Sequence, residues 1–508
     1  MSDDKELMES ANQTDLTSSG SARPAESRED DKKRSKKNTQ RPIEFTPLVD
    51  EDGNRVVTSP RKPKRKVAVM IGYCGTGYNG LQVQNDENVK TIEQDIYTAM
   101  IEAGAISKEN AMDLKKSGFQ RAARTDKGVH AAGNVISLKM IIEDPDIMKK
   151  INDHLPKQIR VWGIQRTTKG FDCRKCCSSR VYEYLLPTFS LLPPKPKTAL
   201  SKLINEKRSK SPELFVNEKD VEGDDWWKAV EKKIFDIGIT QEQLDSIGVI
   251  PVEEGEEPTT EEPQEDESTT TSSLSYTKLI KKIKNIENQS RREYRVSQTR
   301  LDEFRQAMKQ YEGTHNFHNF TIGKPFKDTS AKRYMISTNV SDPFVIEGTE
   351  WISIKIHGQS FMLHQIRKMI AMAALITRLS LPPALIQTFF TEKKINIPKA
   401  PALGLLLENP VYDGYNPKLV SLGYDEVDFS KYEKEMLDFK MKNIYDKIYA
   451  DELKENTFYA FFGYIDSYKT NVIDDGEAVK KDNSVFDFIT NYNEKIVLDN
   501  QEPEKEEK

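Results

Sequence analysis

Arg121-Ala122-Ala123-Arg124-Thr125-Asp126-Lys127-Gly128-Val129-His130-Ala131, followed closely by Asn134-Val135-Ile136-Ser137-Leu138-Lys139-Met140, is the stretch on which the reading of this 508-residue chain turns. Ile136, Leu138 and Met140 recur at period two, which predicts a strand over 134–140. The Asp-Lys-Gly run before it predicts a tight turn, because glycine tolerates the positive φ that turns often require. An acid therefore sits on a loop that leads into a strand, where a scaffold can hold a reactive group rigidly. Taken alone, Asp126 reads as a turn residue between solvated arginines. Its surroundings decide otherwise.

Working outward, residues 66–73 form an apolar run that predicts a buried strand. Gly75-Thr76-Gly77-Tyr78-Asn79-Gly80 then matches G-x-G-x-x-G. A dinucleotide site needs a helix to open at those glycines, so that its N-terminus faces the pyrophosphate. Here the next helix is expected only from Thr91, whose Thr-x-x-Gln start is a capping box, with Ile92, Ile96, Ala99, Met100 and Ala103 on one face. The nucleotide reading is rejected, and the glycines are expected to let the chain turn closely beside the sheet. Downstream come a short helix near 145–155, a strand over 159–164 and a strand over 181–186 with Tyr182 and Tyr184 on one face. The order is that of an α+β domain with a largely antiparallel sheet and helices on one side.

A second folded unit of the same kind is expected from 295 to 415. It holds a helix near 301–311, strands at 344–346 and 351–358, and a long helix over 361–379. Met362, Ile366, Met369, Ala373 and Ile376 share one face of that helix, with Arg367 off it. A short buried strand is expected at 402–408. Paired α+β units invite a cleft between them. One lined by Arg121, Arg124, Arg180 and Arg367, with His130, His315 and Tyr182, would suit a polyanion with unstacked bases.

The remainder is peripheral. Residues 1–65 read as a disordered basic tail, 191–294 as a partly helical insertion with a disordered acidic loop, 416–495 as a helical extension with a helix capped by Ser430, and 496–508 as a disordered tail. The net charge is −5, yet residues 251–275 carry nine acids and no Lys or Arg, so the rest of the chain stands at +4. A local basic surface is the relevant footprint for a nucleic acid. The clusters Lys32-Lys33-Arg34-Ser35-Lys36-Lys37 and Arg61-Lys62-Pro63-Lys64-Arg65-Lys66 suit nuclear targeting or a nucleic-acid arm. No apolar leader and no run of about 18 apolar residues is present, so neither export nor a membrane partner is expected. Cys173-x-x-Cys176-Cys177 raises zinc as a candidate ligand, but a tetrahedral site wants a fourth ligand and a second pair is missing.

The Asp126 stretch resembles the R-T-D-x-G-V-H-A signature of the TruA family of tRNA pseudouridine synthases. Gly72–Gln82, Asn152–Val161, Phe171-Asp172-Cys173-Arg174, Arg180-Val181-Tyr182-Glu183-Tyr184, Gly313–Phe317, Gly358–Arg367 and Gly404–Leu407 resemble further family elements, in order and on both halves. The additions at both ends resemble the eukaryotic, fungal-like nuclear branch. Leu81 and Cys173 stand where many bacterial members have Trp and Ala. The resemblance implies the pseudouridine synthase fold: two ferredoxin-like, RRM-like α+β subdomains sharing a central, largely antiparallel sheet with a cleft between them. It implies an isomerase acting on tRNA uridines, chiefly in and near the anticodon stem-loop, with small nuclear RNA and mRNA as further substrates. No cofactor is required. It implies Asp126 as the essential acid, as nucleophile or base, Arg367 as its pairing partner and Tyr182 as the aromatic that stacks on the base. Arg124 would fill the place the base leaves, and Arg121, His130, Arg180 and Leu405 would bind substrate. Bacterial members are homodimers; the C-terminal extension is expected to cover that surface and leave a monomer, acting in the nucleus. The alternative is a catalytically silent RNA-binding or RNA-folding protein on the same scaffold, against which Asp126, Tyr182 and Arg367 stand together.

Overall fold

Alternation along three strands sets the first half of the sheet. In β1 (Arg65–Tyr73), Val67, Val69, Ile71 and Tyr73 bury beneath helices α1 (Ile92–Glu102) and α2 (Ile147–His154), while Ala68 and Met70 face the opposite core. β3 (His130–Met140) and β4 (Ile159–Arg166) flank β1 in antiparallel register, with Val67 opposite Leu138 and Arg166. These features come from a computed structural model that describes residues 62–467, apart from 85, 87, 108–113, 217–219 and 248–270. Most of the basic N-terminal tail, most of the acidic run and the C-terminal tail lie outside the described residues.

One continuous sheet runs through both halves. Its other strands are β2 (Gln120–Arg121), β5 (Ser179–Pro187), β6 (Gly313–Asn316), β7 (Lys332–Val340), β8 (Phe344–Ile346), β9 (Thr349–Gly358) and β10 (Leu405–Val411). Their order is β4-β1-β3-β10-β5-β9-β7-β6, with β2 on β3 and β8 on β9. β10, from the second half, inserts between β3 and β5 of the first. Every pairing is antiparallel except β3–β10, which is parallel and joins only through Leu406 to His130 and Leu407 to Ala131. The halves also meet along β10–β5 and β5–β9, and the Asp126 loop enters β3 beside the short parallel seam. The α+β architecture expected from the sequence is the one observed.

Four local expectations need correction. β7 was not anticipated: a bulge between Met335 and Ser337 breaks its period, and its outward positions carry the apolar Tyr334 and Ile336. The long helix begins at Gln365, not 361, because His364 adopts a left-handed conformation at φ 61°; α7 is Gln365–Arg378. Thr91 precedes α1 but makes no capping bond, and its buried hydroxyl has no partner. Ser430 caps no helix either; its N–H and hydroxyl turn back to Asp428, and the next helix starts at Glu433.

The described part of the insertion is docked rather than loose. Helices α3 (Ala199–Lys210), α4 (Val221–Asp236) and α5 (Thr271–Glu293) belong to it, so the last residues of the acidic run, 271–275, are helical. Leu200, Ile204, Leu214 and Phe215 join the main core. Arg300, on α6 (Gln298–Lys309), is buried and donates to Leu191 O at 3.0 Å and to Asp220. The C-terminal helices α8 (Glu433–Phe439), α9 (Asp446–Glu455) and α10 (Thr457–Asp466) pack on the sheet and on α7. Two strand glycines make room for the approach. A β-carbon on Gly133 would lie 2.9 Å from the Phe429 ring, and one on Gly163 would lie 2.6 Å from Tyr432 Cζ. Phe439 packs edge-on to Trp162 at 5.3 Å. Beside it the Lys440 ammonium bridges Glu183, at 3.0 Å, and Glu408, at 2.8 Å.

Candidate active site

The Asp126 loop is pinned from below and from the side. Val129 N–H donates to Asp126 O at 3.1 Å and closes the turn, with Gly128 at φ 76°. Leu81 N–H donates to Thr125 O at 3.2 Å, and Gly128 N–H to Tyr78 O at 3.3 Å. The Gly75–Gly80 segment is thus the cradle of this loop. A β-carbon on Gly80 would lie 2.8 Å from Thr125 O, and one on Gly75 would collide with Val129 O. From the side, Tyr73 shares a 2.9 Å hydroxyl bond with Thr125, and Asn134 donates to Ala123 O at 3.1 Å and to the Tyr73 hydroxyl at 3.2 Å. Gly75→Ala should lower stability by roughly 1–3 kcal/mol, because the obstacle is backbone and cannot rotate away. It should also lower turnover without weakening RNA binding, measured by urea denaturation and steady-state kinetics. Unchanged stability and turnover would show that the two loops do not depend on this contact.

Above the loop lies an open cleft of about 1040 Å³ at the β3–β10 seam. Both halves line it. Tyr182 comes from β5, Leu405 from the first residue of β10, and Arg367 from the first turn of α7. The Tyr182 ring meets Phe361 edge-on at 5.0 Å. Burial pushes its phenol up to about 12, against the pull of Arg180, so it stays neutral. Arg180 spans the seam, donating to Ala122 O at 3.0 Å and Gln359 O at 3.3 Å. Asp126 and Arg124 are exposed to the cleft.

A family model described as tRNA pseudouridine synthase matches residues 307–413. The protein called tRNA pseudouridine synthase 1 in Candida albicans is 70% identical over 470 residues, covering 92% of this chain and 76% of that protein. The chain belongs to the tRNA pseudouridine synthase family. Saccharomyces cerevisiae tRNA pseudouridine synthase 1 is 50% identical over 475 residues, covering 91% and 84% of the two chains. The tRNA pseudouridine(27/28) synthase of the same yeast is 37% identical over 408 residues, covering 80% of this chain and 100% of that one. The protein is therefore a pseudouridine synthase, an isomerase.

In this pseudouridine synthase the structure redistributes several of the residues expected to meet substrate. Arg367 shares the cleft with Asp126, but among the described contacts no ion pair joins them. Its Nε donates to Ala400 O at 2.5 Å, and burial lowers its pKa against the opposing pull of Tyr184 and Asp126. Arg121 borders the cleft while bound through two nitrogens to the fully buried Glu93, with Nε 3.1 Å from Oε2. His130 does not line the cleft. It is fully buried, its Nδ1 accepts the Gly75 N–H at 3.1 Å, and burial, with Lys447 adding, lowers its pKa to about 4. It holds the cradle to the strand. His315 is also elsewhere, stacked on Phe390 at 4.3 Å with Nε2 on Glu312 O.

Sequence reasoning missed His364, whose Nδ1 lies 3.5 Å from Asp126 Oδ2, because it stood inside an expected helix. Arg333 was missed with its strand, and Lys175 carried no signal beyond charge; both line the cleft. The cysteines form no zinc set. Burial pushes the Cys173 thiol up to about 12, and Cys177 Sγ donates to Ser179 O at 3.1 Å. Among the described residues no three His, Cys, Asp or Glu side chains are grouped to hold a metal.

Proposed function

We propose that this chain isomerises specific uridines of tRNA to pseudouridine, chiefly in and near the anticodon stem-loop, with Asp126 as the catalytic carboxylate. One observation carries the reading: Asp126, Tyr182 and Arg367, drawn from both halves of the chain, face one cleft. The names of the relatives, each a tRNA pseudouridine synthase, support the substrate class.

The reaction breaks the bond between uracil N1 and C1′, turns the ring and joins C5 to C1′. C5 loses a proton and N1 gains one, so the change is an isomerisation without net oxidation. Asp126 acts on the sugar, as nucleophile at C1′ or as base on a sugar proton. Either role needs an ionised carboxylate, which a guanidinium moving from Ala400 O towards it would favour. Tyr182 stacks on the uracil, and Leu405 walls the other side. Extruding the nucleotide costs a few kcal/mol. Arg124 fills the vacated position, and Arg180, Arg333 and Lys175 hold phosphates.

Recognition by shape and phosphate extends the substrate range to small nuclear RNA and mRNA. The C-terminal helices packed on the sheet support a monomer, and the basic clusters at 32–37 and 61–66 support action in the nucleus. The deciding experiment maps pseudouridine in a tRNA transcript incubated with the purified chain, with binding followed at increasing salt. Pseudouridine at discrete positions, with affinity falling steeply with salt, is expected. Tight binding without any pseudouridine would instead identify a silent RNA-binding protein.

A further inference from the structure

We infer that His364 is a positioning residue for Asp126, fixing the direction of the carboxylate through its Nδ1; this rests on the reading of Asp126 as the catalytic carboxylate. The His364 Nδ1 lies 3.5 Å from Asp126 Oδ2 and has no hydrogen-bond partner. Its side chain is 14% exposed, whereas that of Asp126 is 44% exposed. The imidazole is thus the better-anchored half of the pair.

The backbone at His364 argues that the side chain, not the fold, selects this residue. It sits at φ 61° and ψ 5°, a left-handed conformation that is strained for a residue with a β-carbon and that glycine or asparagine takes more easily. The strained turn is held on every side. Met362 N–H donates to Gln365 Oε1 at 2.9 Å, Lys368 N–H to His364 O at 3.1 Å, and Thr321 Oγ1 to Leu363 O at 3.0 Å. These bonds fix the backbone from which the ring projects. The same turn opens α7, whose unpaired N–H groups favour a carboxylate at that end. With Arg367 bound to Ala400 O, His364 is the side chain that sets where Asp126 points before RNA arrives.

The charges around the ring decide its working form. Asp126 faces it across the cleft; Lys399 lies beside it, and Arg367 and Lys368 are on α7. Burial lowers the His364 pKa most, Lys399 adds to that, and Asp126 opposes it. At neutral pH the ring is therefore uncharged. In the tautomer with its hydrogen on Nδ1, it orients the carboxylate without neutralising it. Protonation at lower pH makes a full ion pair that ties the carboxylate down, so turnover should fall on the acid side through His364.

Two variants separate the imidazole from the backbone. His364→Gly removes the ring and relieves the left-handed turn. His364→Asn also tolerates that turn and keeps a donor. On a tRNA that the wild type modifies, H364G should lose roughly tenfold to a hundredfold in kcat, as expected for a mispositioned catalytic group. Its affinity for tRNA should stay within about twofold of wild type, and its melting temperature should not fall. H364N should recover part of the loss, and both variants should lose the acid limb of the kcat profile. Wild-type kcat in H364G, a loss confined to RNA affinity, or an unchanged acid limb would overturn the assignment. A readout independent of turnover is the titration of the His364 ring, followed by NMR of histidine-labelled protein. It should move to lower pH in Asp126→Asn, since the carboxylate raises it; no movement would overturn the inference even if the wild type made no pseudouridine.

Discussion

Asp126→Ala is expected to abolish pseudouridine formation, by about four orders of magnitude or more, while tRNA affinity stays within about twofold of wild type. The asymmetry follows from where the residue sits. Its side chain is exposed, so removing it opens no core cavity, and the group it leaves unfaced is the His364 imidazole at the cleft wall. The loop keeps its shape through backbone bonds to the Gly75–Gly80 cradle and through Tyr73, Thr125 and Asn134, none of which involves the carboxylate. The proposed phosphate contacts come from the arginines, which remain. Asp126→Asn, of the same shape, should be as inactive, because an amide is neither nucleophile nor base at the sugar. Tritium release from C5-labelled uridine in tRNA, together with filter binding, checks both parts. Turnover near wild type would remove Asp126 from the chemistry, and a parallel loss of binding would make it a recognition residue.

Lys440→Met should destabilise the fold by about 3–5 kcal/mol, the usual cost of stranding a buried charge. Lys440 lies between Glu183 on β5 and Glu408 on β10, the strand that closes the seam. Glu183 also accepts from Tyr445 at 2.7 Å and from Ser353. Burial alone would raise the Glu183 pKa, but Lys440 and these donors hold it below the usual range. Burial raises the Glu408 carboxyl, with Lys440 opposing. Methionine keeps the stem and removes the charge. Both carboxylates then favour protonation. The wild type loses the Glu183 contribution as pH falls through its depressed pKa, whereas the variant is relieved as its carboxylates protonate. The stability difference should therefore narrow below about pH 5. Urea midpoints at pH 7 and pH 4 test this. A midpoint equal to wild type at pH 7 would show that the bridge does not hold the C-terminal helices to the sheet.

Much of this was legible in the chain, and the failures have local causes. β1 announced itself as a continuous apolar run, and β3, β5 and α1 because their apolar residues repeat at the period of the element that buries them. β7 did not, since a bulge and an apolar outer face spoil the alternation. Thr91 and Ser430 looked like caps by type, but a cap is a geometry, and their side chains are turned elsewhere. The glycine motif at 75–80 opens no helix; the next one starts at Ile92. Its actual partner, the Asp126 loop about fifty residues on, could not be read from spacing.

By itself the sequence determined the α+β class, the family and the residue types of the site, because periodicity and short motifs are local properties. Only the tertiary structure decided which of those residues share a cleft. β10 crosses from the second half to lie between β3 and β5, bringing Leu405, Tyr182 and the Asp126 loop together at one short parallel seam. The folded chain also buries His130, engages Arg121 with Glu93, holds Arg367 on Ala400 O and sets His364 against Asp126. Such pairings depend on strand order and on a left-handed turn, which no run of neighbouring residues specifies.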